Sequence, residues 1–157
     1  MLKYTDSEVV FREIPDRVTL AINISNCPNN CPGCHSPYLR KDIGTELTEE
    51  ELDRLINEND GINCVCLMGE GKDINRLVEV FKLIKEKYPN LETGLYTGSD
   101  EFNERIFDGC LDYIKIGHYD EKLGPLDKET TNQRMYKLNK DKTIEDITYK
   151  FWRNTVV

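Results

Sequence analysis

Residues 26–35 read NCPNNCPGCH, which places Cys27, Cys31, Cys34 and His35 within ten positions. Thiols at this density serve metal or redox chemistry more readily than packing, and four chemistries compete for them. A c-type haem would take Cys31 and Cys34 as thioether links and His35 as axial ligand. It leaves Cys27 without a role, and haem attachment follows export, for which the first twenty residues carry no signal pattern. Zinc asks for four ligands in a tetrahedron, usually as two separated pairs. His35 directly follows Cys34, so the two cannot readily share one ion, and a fourth ligand must come from Cys64, Cys66, Cys110 or His118. A disulfide is disfavoured in a reducing compartment except as a transient Cys31 and Cys34 pair. An iron–sulfur cluster gives the number three a meaning, because three thiolates on a four-iron cluster leave one iron open to a substrate or cofactor. Asn29, Asn30 and Gly33 suit the tight turns such a loop needs, and their amides can point at the sulfurs.

The rest of the chain must position that loop. A chain of 157 residues with 38% hydrophobic, 32% charged and 9% aromatic residues fits one soluble globular domain. Residues 1–157 are read as a single domain, with 139–157 as a C-terminal tail whose packing the pattern leaves open. The net charge of -8 argues against non-specific nucleic-acid binding, which needs a basic surface, and leaves room only for a small local basic patch. No run approaches the ~18 apolar residues of a membrane span, so neither nucleic acid nor membrane is expected as a partner, and the expected location is the cytoplasm.

Val18, Leu20, Ile22 and Ile24 alternate with more polar residues, the period of a half-buried strand that runs straight into the cysteine loop. Val9 to Phe11 is a short strand upstream of it, turned back by Pro15 and Asp16. Thr48 and Glu51 have the spacing of a capping box ahead of Leu52, Leu55 and Ile56. INCVCL, residues 62–67, is a buried strand ending at Gly69-Glu70-Gly71. Asp73 caps a helix carrying Leu77, Val80, Phe81, Ile84 and Tyr88 on one face, which Pro89 stops. LETGLYTG is a third parallel strand, followed by a short helix over 100–107, and DYIKIG is a fourth. Strands and helices in alternation predict a parallel sheet covered by helices, whose site lies beyond the carboxyl ends of the strands. The cysteine loop, MGEG and YTG all fall at that edge. After Gly117 the pattern weakens, and Ile144, Ile147, Phe151 and Trp152 are expected to dock the tail on the core.

C-x3-C-x2-C after a first strand resembles the signature of the radical S-adenosylmethionine enzymes. The longer stretch LAINISNCPNNCPGCHSPYL is similar to the cluster loop of the small activating proteins for glycyl radical enzymes, above all those of anaerobic (class III) ribonucleoside-triphosphate reductase. Tyr96-Thr97-Gly98 and Asn132-Gln133-Arg134 match further motifs of that subfamily, so the likeness runs from about Phe11 to Leu138. It implies a partial (βα) barrel-like parallel sheet, a 4Fe-4S cluster held by Cys27, Cys31 and Cys34, and S-adenosyl-L-methionine on the open iron. Gly69, Glu70, Tyr96, Thr97 and His35 become the candidate cofactor-binding residues. An electron from a flavodoxin-like or similar donor, passed through the cluster, would break the sulfonium to methionine and a 5'-deoxyadenosyl radical. That radical takes a hydrogen from one glycine of the reductase's glycyl radical subunit, and no catalytic residue is implied beyond cluster and cofactor. One departure from the pattern stands out: the family's Gly-Gly-Glu is Met68-Gly69-Glu70 here. The family's later glycine-rich motif is not evident in YIKIGHYDE, which leaves the adenine contacts unassigned.

Each candidate has a plainer reading beside it. Cys64 and Cys66 share one strand face and, with Cys110, suit core packing. His35 can tune the cluster or sit on the surface, and Glu70 can cap the following helix. Tyr96 and Thr97 can simply end a strand, while Asn132 and Arg134 can clamp a loop or touch a ligand. The alternatives to this activase are one for a different glycyl radical enzyme, and a non-catalytic zinc or iron–sulfur module with a fourth protein ligand.

Overall fold

Leu20, Ile22 and Ile24 are fully buried in strand β2 (Thr19–Ile24), the first of four parallel strands at the centre of the protein. The computed structural model describes residues 2–25, 42–101 and 109–152. Within them, β1 (Lys3–Val10) precedes β2, and β3 (Thr45–Glu46) leads into α1 (Glu49–Asn57). Next come β4 (Cys64–Met68), α2 (Ile74–Lys87), β5 (Glu92–Tyr96) and β6 (Tyr113–Ile116), then β7 (Arg134–Leu138), β8 (Ile144–Asp146) and a 3-10 turn over Thr148–Phe151. The eight strands form one mixed sheet in the order β3-β1-β2-β4-β5-β6-β7-β8. The pairs β2 with β4, β4 with β5 and β5 with β6 are parallel, and the outer strands on both sides are antiparallel.

The caps fall where the sequence puts them, although Thr48 N donates to Glu46 O and the Glu51 carboxylate accepts from Tyr4 and Arg54, so the capping box is only half formed. Thr48 Oγ1 accepts from Glu51 N at 3.1 Å and Asp73 Oδ1 from Arg76 N at 3.1 Å, each satisfying an amide that the first helical turn leaves open. Both helices face the same side of the sheet. There Leu52, Leu55 and Ile56 of α1 and Leu77, Val80, Phe81 and Ile84 of α2 join Leu20, Ile22, Val65, Leu67 and Ile114 in the larger core. Each of these side chains contributes about 1.5–3 kcal/mol by leaving water. Because the parallel strands follow one another in space as in sequence, right-handed crossovers put α1 and α2 on one face, and among the described residues no α-helix covers the other.

That second face is covered by irregular chain. Residues 11–18, between β1 and β2, form a strap whose Ile14 is fully buried against Cys66 and Gly94. Asp16 makes the predicted turn with φ of 64°, a left-handed conformation that Asp tolerates. Leu126, Met135 and Ile147 close the same face with Cys64, Cys66 and Tyr113. Trp152 Nε1 donates to the Leu126 carbonyl at 2.9 Å, tying the turn at 148–152 to the long connection before β7. Ile147 is buried and Phe151 half-buried, whereas Ile144 stays 44% exposed.

The sheet is larger than the sequence pattern suggests. β1 extends well upstream of Val9, and Phe11, 68% exposed, lies outside it. β7 and β8 arise in the stretch expected to be irregular. Met135 alone of β7 is fully buried and all of β8 is exposed, so neither strand needs an alternation strong enough to read. The helix expected over 100–107 lies mostly outside the described residues.

Candidate metal centre

Strand β2 delivers the chain to the carboxyl edge of the sheet, and Ser25 holds it there. Ser25 N donates to Lys3 O at 3.0 Å, and Ser25 Oγ donates to Ile43 O at 2.5 Å. Lys3 Nζ lies 3.1 Å from Asp42 Oδ1, and Leu47 N donates to Leu2 O at 2.8 Å. Segment 26–41, with Cys27, Cys31, Cys34 and His35, lies outside the described residues. The residues on either side of it are nonetheless tied together, so the segment leaves and rejoins the fold at one place beyond β2. Pinning both ends removes much of the loop-closure entropy that assembling three ligands would otherwise cost.

The turn after β4 packs against this stem. Gly69 has φ of 115° and Gly71 φ of 63°, conformations that side chains rarely adopt. A Cβ on Gly69 would stand 3.1 Å from the Ile24 carbonyl. One on Gly71 would meet Leu2 Cδ1 at 2.8 Å and lie 3.6 Å from Ser25 O. Both glycines therefore permit close approach of one loop to the other, and they set Glu70, half-buried, between them. Gly69 N donates to Tyr96 O at 2.8 Å, which joins this turn to the end of β5.

One register row crosses the helix-free face at the same edge: Asp6, Asn23, Met68, Tyr96, Lys115 and Met135 stand side by side on successive strands. The Tyr96 hydroxyl donates to the Glu13 carbonyl of the strap, and burial pushes its phenol pKa well up. Its ring lies beneath Lys115, whose Nζ is 5.6 Å from the ring centroid and donates to Gly117 O at 3.1 Å. Lys115 is only 8% exposed. Thr97 is buried too: its amide donates to Lys115 O at 2.9 Å and its Oγ1 accepts from Ser99 N at 3.1 Å. Tyr96 and Thr97 thus shape the floor and rim of this edge, with their own polar groups engaged.

The segment Asn132-Gln133-Arg134 meets the turn after β6. Asn132 Nδ2 donates to His118 O at 3.1 Å and Gln133 Nε2 to Gly117 O at 3.3 Å. Asp100 accepts from both the amide and the ring of His118, at 3.1 Å and 2.8 Å, and its carboxyl is held below its usual range by those bonds. Arg134 turns away to Asp146, 3.7 Å distant. Asn132 and Gln133 therefore clamp the β6 turn, whereas Arg134 braces β7 against β8.

The remaining cysteines lie elsewhere. Cys64, at the start of β4, is four residues from the carboxyl end of its strand, about 13 Å at strand rise. Burial pushes its thiol pKa up to about 12 and raises that of Cys66 as well. Cys66 Sγ lies 3.7 Å from Met68 Sδ, and Cys110 is buried on the helix-covered side. Among the described residues no group of three or more His, Cys, Asp and Glu side chains is placed to hold a metal ion. Asn23 and Lys115 belong to no motif, although a lysine inside the otherwise apolar YIKI is a visible signal of something other than packing.

No helix among the described residues is long and apolar enough to cross a membrane. No curated protein and no solved structure matches the chain. A family model described as a 4Fe-4S single cluster domain matches residues 17–136, which span β2, the cysteine segment, the turns after β4, β5 and β6, and most of β7. A match over more than half of its length means that the chain belongs to the 4Fe-4S single cluster domain family.

Proposed function

We propose that this protein is a radical S-adenosylmethionine activase for the glycyl radical subunit of an anaerobic ribonucleoside-triphosphate reductase. The observation that carries the reading is the junction of three loops at one sheet edge: a C-x3-C-x2-C segment on a pinned stem, a Gly69-Glu70-Gly71 turn pressed against that stem, and the Tyr96-Thr97 turn bonded to both neighbours. Membership of a 4Fe-4S family supplies the cluster, and Cys27, Cys31 and Cys34 are the residues that would hold it. The chemistry of the donor set fits, since thiolates are the usual ligands of such clusters. With S-adenosylmethionine bound, one electron delivered through the cluster would release methionine and a 5'-deoxyadenosyl radical that takes hydrogen from a glycine of the partner.

The chain's own residues then have these parts. Glu70 accepts from the amino group of the cofactor, and the glycines on either side of it keep the turn close to the cluster stem. Met68, Tyr96 and Lys115 floor the site on the helix-free face of a partial barrel-like sheet. The strap and the C-terminal segment shield that face from water, so the radical step takes place away from solvent. His35, in the cluster segment, is a further cofactor contact. A flavodoxin-like carrier is the electron donor and the cytoplasm its setting.

Anaerobic reconstitution with iron and sulfide, reduction, addition of S-adenosylmethionine and mass spectrometry for 5'-deoxyadenosine and methionine test the reading. Product is expected from the native protein and absent from Cys31→Ala. A glycyl radical signal should then appear when the reductase is added. Cleavage without that signal would point to a different glycyl radical partner. A fully loaded cluster that yields no product would sink the activase and favour a non-catalytic cluster or zinc module. The placement of Cys64 at the far end of β4 and of Cys110 on the helix-covered side weighs against that module, because both lie away from the edge at which β2 delivers the cysteine segment.

A further inference from the structure

Two buried side-chain polar atoms among the described residues have no hydrogen-bond partner: Thr19 Oγ1 and Asn132 Oδ1. Thr19 lies at the amino edge of the sheet beside the Cys64 thiol, which gives it a weak polar neighbour. Asn132 has no such neighbour for its oxygen, and it lies at the carboxyl edge.

The orientation of its amide is determined. Asn132 Nδ2 donates to His118 O at 3.1 Å, so exchanging the two amide atoms would set a carbonyl oxygen against another carbonyl oxygen. His118 O is itself held in place, because Asp100 accepts from the amide and the ring of the same residue. The backbone on either side is fixed by Gly117 N to Ser99 O at 2.7 Å and Gln133 N to Thr131 Oγ1 at 3.0 Å. The oxygen is thus a rigid, desolvated acceptor, and native folds retain such an atom at a cost that a ligand donor can offset.

We infer that Asn132 Oδ1 receives an N–H of the 6-amino group of adenine and is the residue that selects the base of the cofactor. The inference rests on the S-adenosylmethionine reading above. The turn after β6 stands two strands from the Gly69-Glu70-Gly71 turn, about 10 Å at the usual strand spacing. That span suits a ligand with its amino acid end at one turn and its base at the other. A donor amine matches a lone acceptor, whereas the 6-oxo group of hypoxanthine would present a second acceptor to it. Because Asn132 Oδ1 is now screened from water, the bound form differs from this one at least by a side-chain movement that admits the base.

The test is equilibrium binding to the anaerobically cluster-loaded protein, comparing S-adenosylhomocysteine with its deaminated counterpart S-inosylhomocysteine. Native protein is expected to prefer the adenine compound by about tenfold or more, the effect of one buried acceptor left unpaired. Asn132→Leu should bring the ratio close to one. Asn132→Asp, which keeps an acceptor but loses the bond to His118 O, should retain a preference for the amine. Taking the ratio within each variant cancels any general loss of folded protein. Equal binding of both bases by the native protein, or an unchanged ratio in Asn132→Leu, overturns the inference and leaves the activase reading standing. Failure of both compounds to bind the cluster-loaded native protein overturns both.

Discussion

The helix-free face depends on one tight contact that can be probed by a double-mutant cycle. Gly94 lies in β5 beneath the strap, and a Cβ built on it would come within 2.9 Å of Ile14 Cδ1 and 3.4 Å of Cys66 Sγ. Its backbone has no positive φ, so alanine is compatible with the strand and should recover about 0.4–1 kcal/mol of unfolded-state entropy. Overpacking should cost about 1–3 kcal/mol, leaving Gly94→Ala net destabilising. Ile14→Val removes the Cδ1 methyl that stands in the way and should by itself cost about 0.5–1.5 kcal/mol. In the double variant the new methyl takes the space of the lost one, and the pair should be more stable than the sum of the singles by about 1–2 kcal/mol. Urea unfolding at matched cluster loading, followed by the fluorescence of Trp152 over the same face, measures the cycle. Residues that do not touch add within about 0.5 kcal/mol. Additivity of that order would mean that Ile14 does not seat against Gly94 and that the strap does not seal the sheet.

Ser25→Ala removes the hydroxyl that closes the cluster stem on Ile43 O and should cost about 1 kcal/mol of stability. It should also lower the iron and sulfide retained after desalting, and undiminished retention would show that the stem bond is irrelevant to the cluster. Cys64, Cys66 and Cys110 are buried, with the thiols of Cys64 and Cys66 shifted upward, so in cluster-free folded protein all three should react with a disulfide reagent only after denaturant is added. Rapid labelling of any of them, located by peptide mapping, would contradict the placement. The Arg54 guanidinium and the Tyr4 hydroxyl hold the Glu51 carboxyl down to about 2 from 4.5. Its contribution is therefore present above pH 4.5 and is lost as pH falls toward 2. The stability gap between native protein and Glu51→Gln should narrow across that window, and a gap independent of pH would refute the assignment.

Much of the central architecture was legible because burial enforces periodicity. Leu20, Ile22 and Ile24 alternate, Leu77, Val80, Phe81 and Ile84 recur at helical spacing, and Thr48 and Asp73 stand where their helices begin. The cysteine segment was legible for a different reason, since the spacing of Cys27, Cys31 and Cys34 expresses ligand chemistry that needs no neighbouring strand to be recognised. β8 left no trace, because Ile144, Glu145 and Asp146 are all exposed and its pairing rests on backbone hydrogen bonds to β7. Tyr96 illustrates the limit of a motif: YTG marks the right edge of the sheet, yet only the folded chain commits its hydroxyl to Glu13, a residue far away in sequence. The same holds for Asp100, His118 and Asn132, which parallel and antiparallel registers bring from three separate stretches to one turn. Local patterns record which face of an element is buried. Which distant polar groups then meet, and which acceptor is left unpaired, depends on strand register and loop closure, and these exist only when the whole sheet is assembled.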